Sequence, residues 1–279
     1  MVERNGYFQT CAEARYIHAS LASKGKQDMK FLNKIIATLV LLPSLALASE
    51  GYQLDHAPDR ANNMAALQNG AKLFVNYCLN CHSASSMRYS RLKDLGLTDD
   101  QIRGSLLLAS DKVGDLMTTH LSPKDAKAWF GAAPPDLSVI ARAKTSEAGS
   151  GPDWLYTYLR SYYKDDSRPT GWNNMVFPNV AMPHVLWELQ GVRAAEFEEV
   201  EDEDHTKKME FKKFTTITPG QLSAAEYDSA VGDLVAYLTW MGEPEQGTRK
   251  RLGVWVLIWM GLLSVLAWRL NASYWKEVK

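Results

Sequence analysis

Cys78-Leu79-Asn80-Cys81-His82 is the stretch on which the reading of this chain turns. C-x-x-C-H is the attachment signature of a c-type haem. Two thiols separated by two residues can each add across one haem vinyl group. The adjacent His82 then lies under the macrocycle and offers a ring nitrogen to the iron. Two other chemistries use the same pair of cysteines. A redox dithiol sits at a helix N-terminus after a strand, where its thiol pKa is lowered, whereas here the motif follows a helical pattern. A zinc site needs two further soft ligands, and the remaining cysteine, Cys11, lies far upstream. The expectation is one covalent haem c per chain.

Outward from the motif, the pattern is helical on both sides. Met64, Leu67, Ala71, Phe74 and Val75 recur at helical spacing and lead the chain into Cys78. Ser83 to Met87 reads as a loop, and Met87 is too close to His82 to cross to the opposite face of a haem. Thr98-Asp99-Asp100-Gln101 is a capping box that opens a helix continuing through Ile102 to Ala109. Ser122-Pro123 opens a short helix ending near Gly131. Asp136, in Gly131-Ala132-Ala133-Pro134-Pro135-Asp136-Leu137-Ser138, can cap a helix running through Ala143. A plain helix-entry loop accounts for that stretch without a cofactor. Gly151-Pro152-Asp153 opens another helix with Leu155, Tyr158, Leu159 and Tyr162 along one side. The aromatic residues from Trp154 to Trp172 can wall a flat apolar group or fill a core, and core is the simpler reading.

A second axial donor is sought in the irregular stretch from Asp165 to Ala181 and just beyond it. Met182 stands in Val180-Ala181-Met182-Pro183-His184. Pro183 restricts the backbone before it, and a thioether donor raises the haem potential relative to a second histidine. Met175 and His184 are the local competitors. Met117, Met209 and Met241 read as packing or surface residues.

Ser223-Ala224-Ala225-Glu226 is a second capping box. Tyr227, Val231, Leu234, Val235, Leu238 and Met241 follow at helical spacing, with Gly242 and Pro244 as the stop. This helix is expected to pack on the one before Cys78, as a clasp. Between the two, Glu196 to Asp204 is an acidic run followed by a basic Lys207 to Lys213. It reads as a solvated surface excursion, or as a field that steers a basic redox partner.

The chain ends suggest export and anchoring. Lys30 and Lys34, the apolar Ile35 to Leu42, and Ala46-Leu47-Ala48 make a secretory signal over residues 29–48. Residues 1–28 do not fit a signal beginning at Met29 and read as an upstream extension that is not native structure, so Cys11 and His18 receive no role. Leu252 to Trp268 is an unbroken apolar run, extended by Leu270, Tyr274 and Trp275 to the roughly 20 residues a membrane span needs. The division expected is a haem domain over 49–246, an anchor over 247–272 and a cytoplasmic tail over 273–279. With 31 basic against 32 acidic residues, the charge indicates no nucleic-acid partner.

The order of these features resembles the cytochrome c1 family, the haem subunit of the cytochrome bc complex. The resemblance rests on Cys78 to His82, Gly131 to Ser138, Phe177 to Pro183, Gly242-Glu243-Pro244, and Arg249-Lys250-Arg251 before a single anchor. It runs from about Glu50 to the C-terminus. It implies an all-α, cytochrome c-like haem domain with long loops plus one C-terminal transmembrane helix. It implies Cys78 and Cys81 as thioether sites, His82 and Met182 as axial ligands, and a haem propionate paired with Arg142 or Lys144. It implies electron receipt from a Rieske iron–sulfur protein and delivery to a soluble or membrane-bound cytochrome c. Cytochrome b is the further partner, in a dimeric complex of the bacterial inner membrane with the haem domain on the periplasmic side. The chain is then the redox subunit of a ubiquinol–cytochrome c oxidoreductase and not catalytic alone. A stand-alone membrane-anchored cytochrome feeding an oxidase, or a haem peroxidase, is the competing expectation.

Overall fold

Asn63 starts the frame by accepting the Ala66 amide into its side chain (3.2 Å), which caps helix α1, Met64–Leu73. The computed structural model describes residues 52–201 and 207–276. The signal, the extension, Cys11 and His18 lie outside the described residues. Helix α1 runs into one wide π-helical turn, Phe74–Cys78, so the helix is locally unwound where it delivers the first cysteine. Strand β1 (Ala84–Arg88) follows, where a loop is expected from sequence, and then a 3₁₀ segment, Tyr89–Leu95.

Helix α2, Asp99–Ser105, carries the Thr98/Gln101 capping box but stops four residues short of Ala109. Gly104 weakens its last turn, and Leu106 turns into the core. The two-residue β2, Leu116–Met117, pairs with β1. Helix α3, Pro123–Phe130, has Ser122 as its cap and ends on Gly131 at φ 79°. Helix α4 is a single turn, Ile140–Ala143, and Asp136 does not cap it; Val139 occupies the cap position without a side-chain bond. Helix α5, Gly151–Arg160, is capped by Ser150. Strands β3 (Tyr162–Lys164) and β4 (Trp172–Asn174) form a short antiparallel pair.

The expectation of an all-α domain is therefore corrected by three two-stranded sheets. The largest follows helix α6, Trp187–Gln190, and joins β5, Gly191–Glu201, to β6, Lys207–Pro219. Glu196 to Glu201 of the acidic run lie on β5, and Lys207 to Lys213 of the basic run on β6. Lys213 faces Glu196 at 3.5 Å, Lys212 faces Glu198 at 2.7 Å and Lys207 faces Glu199 at 3.1 Å. Opposite charges across an antiparallel pair stabilise the register, so these carboxylates do not form a bare acidic face.

Helix α7, Ala224–Gly242, has its expected Ser223/Glu226 box and packs on α1. The crossing is tight because Gly70 lies directly against the backbone of Asp233. The carboxylate of Asp233 is buried at this crossing. Asn69 donates to it at 2.8 Å, and Arg60, which also bonds Ser229, completes its partners. Phe74 meets Tyr237 with ring centroids 5.6 Å apart. The segment before α1 is extended and pinned, with Asp55 donating its amide to Thr157 and Ala57 to Asp153, both at 2.8 Å.

Three residues separate the end of α7 from helix α8, Gln246–Tyr274. At 1.5 Å per residue its 29 residues extend about 44 Å, more than the roughly 30 Å hydrocarbon core. Its apolar side chains, Leu252 to Leu270, stand fully outside the rest of the protein. An apolar helix exposed on every side is stable in lipid and costly in water, so α8 is a single-pass membrane anchor.

Candidate functional site

Cys78 leaves the π-turn and the chain folds sharply back, with the amides of Cys81 and His82 both bonded to the Cys78 carbonyl at 3.1 and 2.9 Å. This turn puts Cys78, Cys81 and His82 on one wall of a cavity of about 360 Å³. Met182 and Pro183 line it too. So do Ala132 to Pro135 and Leu137 from the loop after α3, Trp154 and Tyr158 from α5, and Leu234 and Leu238 from α7. The lining is overwhelmingly apolar and of a size typical of cofactor sites.

The donor set fits a covalently held haem. Burial pushes the Cys78 thiol up to about 12, and burial raises Cys81 as well. A redox dithiol needs the opposite shift, so neither thiol has the signature of an exchange cysteine. His82 Nδ1 lies 2.7 Å from the Pro135 carbonyl. A carbonyl only accepts, so Nδ1 carries the proton and the lone pair is left on Nε2, the arrangement of a metal-binding histidine with its second nitrogen fixed. Burial lowers the His82 pKa, partly offset by the Pro135 bond and by Asp136, which favours the neutral ring that a metal requires.

The loop after α3 is thus part of the site, although its sequence reads as a plain helix entry. Asp136 ties it to the segment following the motif. Its carboxylate accepts the Ser85 amide (2.8 Å), the Ser85 hydroxyl (2.6 Å) and the Ser138 amide (2.8 Å). Burial alone would raise the Asp136 pKa, but these bonds from Ser138 and Ser85 outweigh it and hold the carboxyl below the ordinary aspartate value. A lowered folded-state value stabilises the protein above the unfolded pKa, and the contribution disappears as pH falls through the folded one. Asp136→Asn is expected to remove this part of the acid dependence. Its thermal stability should fall at neutral pH and approach that of the parent protein at acid pH, in melts followed by circular dichroism.

Of the competing donors, His184 is buried outside the cavity wall, its ring stacked on Tyr162 at 4.8 Å and 5°. Burial lowers its pKa to about 3. Met175 does not reach the wall. Met87, Met117 and Met241 are buried in the core, and Met209 is exposed on β6. Met182 is the methionine on the cavity wall among the described residues. Lys144 also lies on the wall, its ammonium 4.2 Å from the Trp154 ring centroid, whereas Arg142 is exposed away from it. Trp154 and Tyr158, for which core was the simpler reading, belong to the wall. The signal for them was their shared face on α5, which periodicity cannot assign to core or cofactor.

A helical frame closing an apolar cavity over two thiols, an imidazole and a thioether defines a c-type cytochrome. Comparison of the sequence narrows this class: the profile described as the Cytochrome C1 family matches residues 57–210 and 218–278, and the chain belongs to that family. It is 44% identical over 88% of its length to cytochrome c1 of Allochromatium vinosum, covering 98% of that protein. It is 42% identical over 90% of its length to a Nitrosomonas europaea protein named ammonia monooxygenase gamma subunit, covering all of it. It is 31% identical over 76% of its length to cytochrome c1 of Rhodospirillum rubrum, covering 82% of that protein. Family members carry covalently bound haem c and have an electron-transfer role, and membership implies a place in the bc1 complex with cytochrome b and a Rieske protein.

Proposed function

We propose that the chain passes single electrons from the Rieske iron–sulfur protein to a soluble or membrane-bound cytochrome c. In this reading Cys78 and Cys81 would carry the haem through thioether bonds, and His82 and Met182 would hold its iron. The observation that carries it is the convergence of these four side chains on one apolar cavity, with His82 Nε2 left free by the Pro135 bond. The bound haem c supplies a one-electron iron couple. His82 is held in one tautomer and one orientation. Met182 would hold the iron together with His82, and the apolar wall excludes water. Lys144, rather than Arg142, is the basic residue placed to meet a propionate.

The haem domain over 49–246 faces the periplasm, with anchor and tail over 247–272 and 273–279, in a dimeric complex of the bacterial inner membrane. The signal over residues 29–48 supports this orientation, because Arg249, Lys250 and Arg251 at one end of the apolar run and Arg269, Lys276 and Lys279 at the other balance. Purification of the chain from membranes tests the reading. Cytochrome b and a Rieske protein are expected to travel with it, and acid acetone is expected to leave the pigment on the polypeptide. Carbon monoxide is expected not to bind the reduced protein. Binding would instead favour an oxygen- or peroxide-activating role, such as the name of the Nitrosomonas relative suggests for that protein.

A further inference from the structure

The wall residue Tyr158 makes a contact that the electron-transfer role does not by itself require. Its hydroxyl lies 3.4 Å from the Met182 sulfur, as donor to it. The Tyr162 hydroxyl in turn approaches the Tyr158 hydroxyl to 2.6 Å. The Tyr158 ring is fixed on two sides, stacked on Trp154 at 4.8 Å and edge-on to Tyr162 at 5.3 Å. Tyr162 is held by its own stack on His184. The Tyr162 hydroxyl has a second acceptor in the Met182 carbonyl, at 3.3 Å. A hydroxyl carries one hydrogen, and the shorter contact claims it. Tyr158 then accepts from Tyr162, and its own hydrogen is directed to the sulfur.

A thioether sulfur has two lone pairs and is a weak acceptor. With one lone pair engaged by Tyr158, the other remains available to a metal, and Met182 lines the cavity. We propose that Tyr158 is a positioning residue that orients the Met182 sulfur and, by drawing on its electron density, raises the haem potential. The inference rests on Met182 being the axial donor. A sulfur that gives less density to the metal stabilises the ferric state less, and hydrogen bonds to axial ligands are a recognised lever on potential. A phenol ionises only at about pH 10, so both hydroxyls carry their hydrogens at neutral pH.

The test is a redox titration of the full chain, assembled in its membrane complex, with Tyr158→Phe. The ring and its stacking remain and only the hydroxyl is lost. At a fixed poise the ferrous-to-ferric ratio should fall by a factor of roughly 2 to 12, the range one hydrogen bond commands. The methionine-to-ferric-iron charge-transfer band should shift or weaken. Tyr162→Phe, which removes the donor behind Tyr158, should lower the ratio less. In a Met182→Leu background Tyr158→Phe should add nothing, because the effect acts through the sulfur; a further fall there would mean a general change in the cavity and overturn the proposal. An unchanged midpoint and band in Tyr158→Phe would overturn it too. If that variant fails to assemble, an unchanged midpoint in Tyr162→Phe does the same. If Met182→Leu itself keeps the parent midpoint, it is the axial assignment that has failed.

Discussion

Met182→Leu is expected to lower the midpoint potential on the order of a hundred millivolts or more, since axial ligands govern haem potentials across a span of about 0.8 V. At 59 mV per tenfold for one electron, that is at least about a fiftyfold change in the equilibrium. The variant should also bind carbon monoxide when reduced, because an alkyl side chain leaves the metal open. The fold is expected to survive. Met to Leu nearly conserves volume and usually costs less than about 1.5 kcal/mol in a packed site, although the Tyr158 hydroxyl loses an acceptor. The effect would therefore be chemical and not a consequence of unfolding. A redox titration and a carbon monoxide difference spectrum check it, and a parent-like midpoint would remove Met182 from the site.

The largest expected effect on stability comes from Gly70→Ala. A Cβ at this position would lie 2.1 Å from the Asp233 carbonyl oxygen, 2.8 Å from its carbon and 2.6 Å from Tyr237 Cβ. Two of these atoms are α7 backbone, which cannot step aside as a side-chain tip can. Helix α1 has to move off α7, and overpacking of this severity costs about 3 kcal/mol or more. For a domain of this size that is a fall in Tm of roughly 6–12 °C. The displacement is carried into the site, because α1 continues through the π-turn to Cys78 while α7 supplies Leu234 and Leu238. Haem incorporation is expected to drop along with the melting temperature. Gly104→Ala in α2 is the control. Nothing lies within 4 Å of its Cβ, and the gain in helix propensity should leave stability unchanged or raised by up to about 1 kcal/mol.

Local chemistry was sufficient for a large part of this molecule. The C-x-x-C-H run, the capping boxes at Thr98 and Ser223, the Ser122-Pro123 helix start and the C-terminal apolar run each complete their signal within a few residues. That is why they can be read without a fold. The hairpin was hidden for a related reason. Strand Lys207–Pro219 is largely exposed and Gly191–Glu201 mostly half-buried, so neither carries a clean apolar alternation, and their charges make sense only once paired across the strands.

The amino-acid order by itself determined the haem-attachment signature, the family and the existence of an anchor, because each depends on residue types at fixed short spacings. The tertiary structure alone decided what surrounds the donors. Pro135, 53 residues from His82, sets its tautomer. Tyr158 reaches the Met182 sulfur from another helix. Lys144 faces the cavity and Arg142 does not, although both lie within three residues of each other. Such contacts depend on where helices cross and loops close, and periodicity reports only that a face is covered, not what covers it.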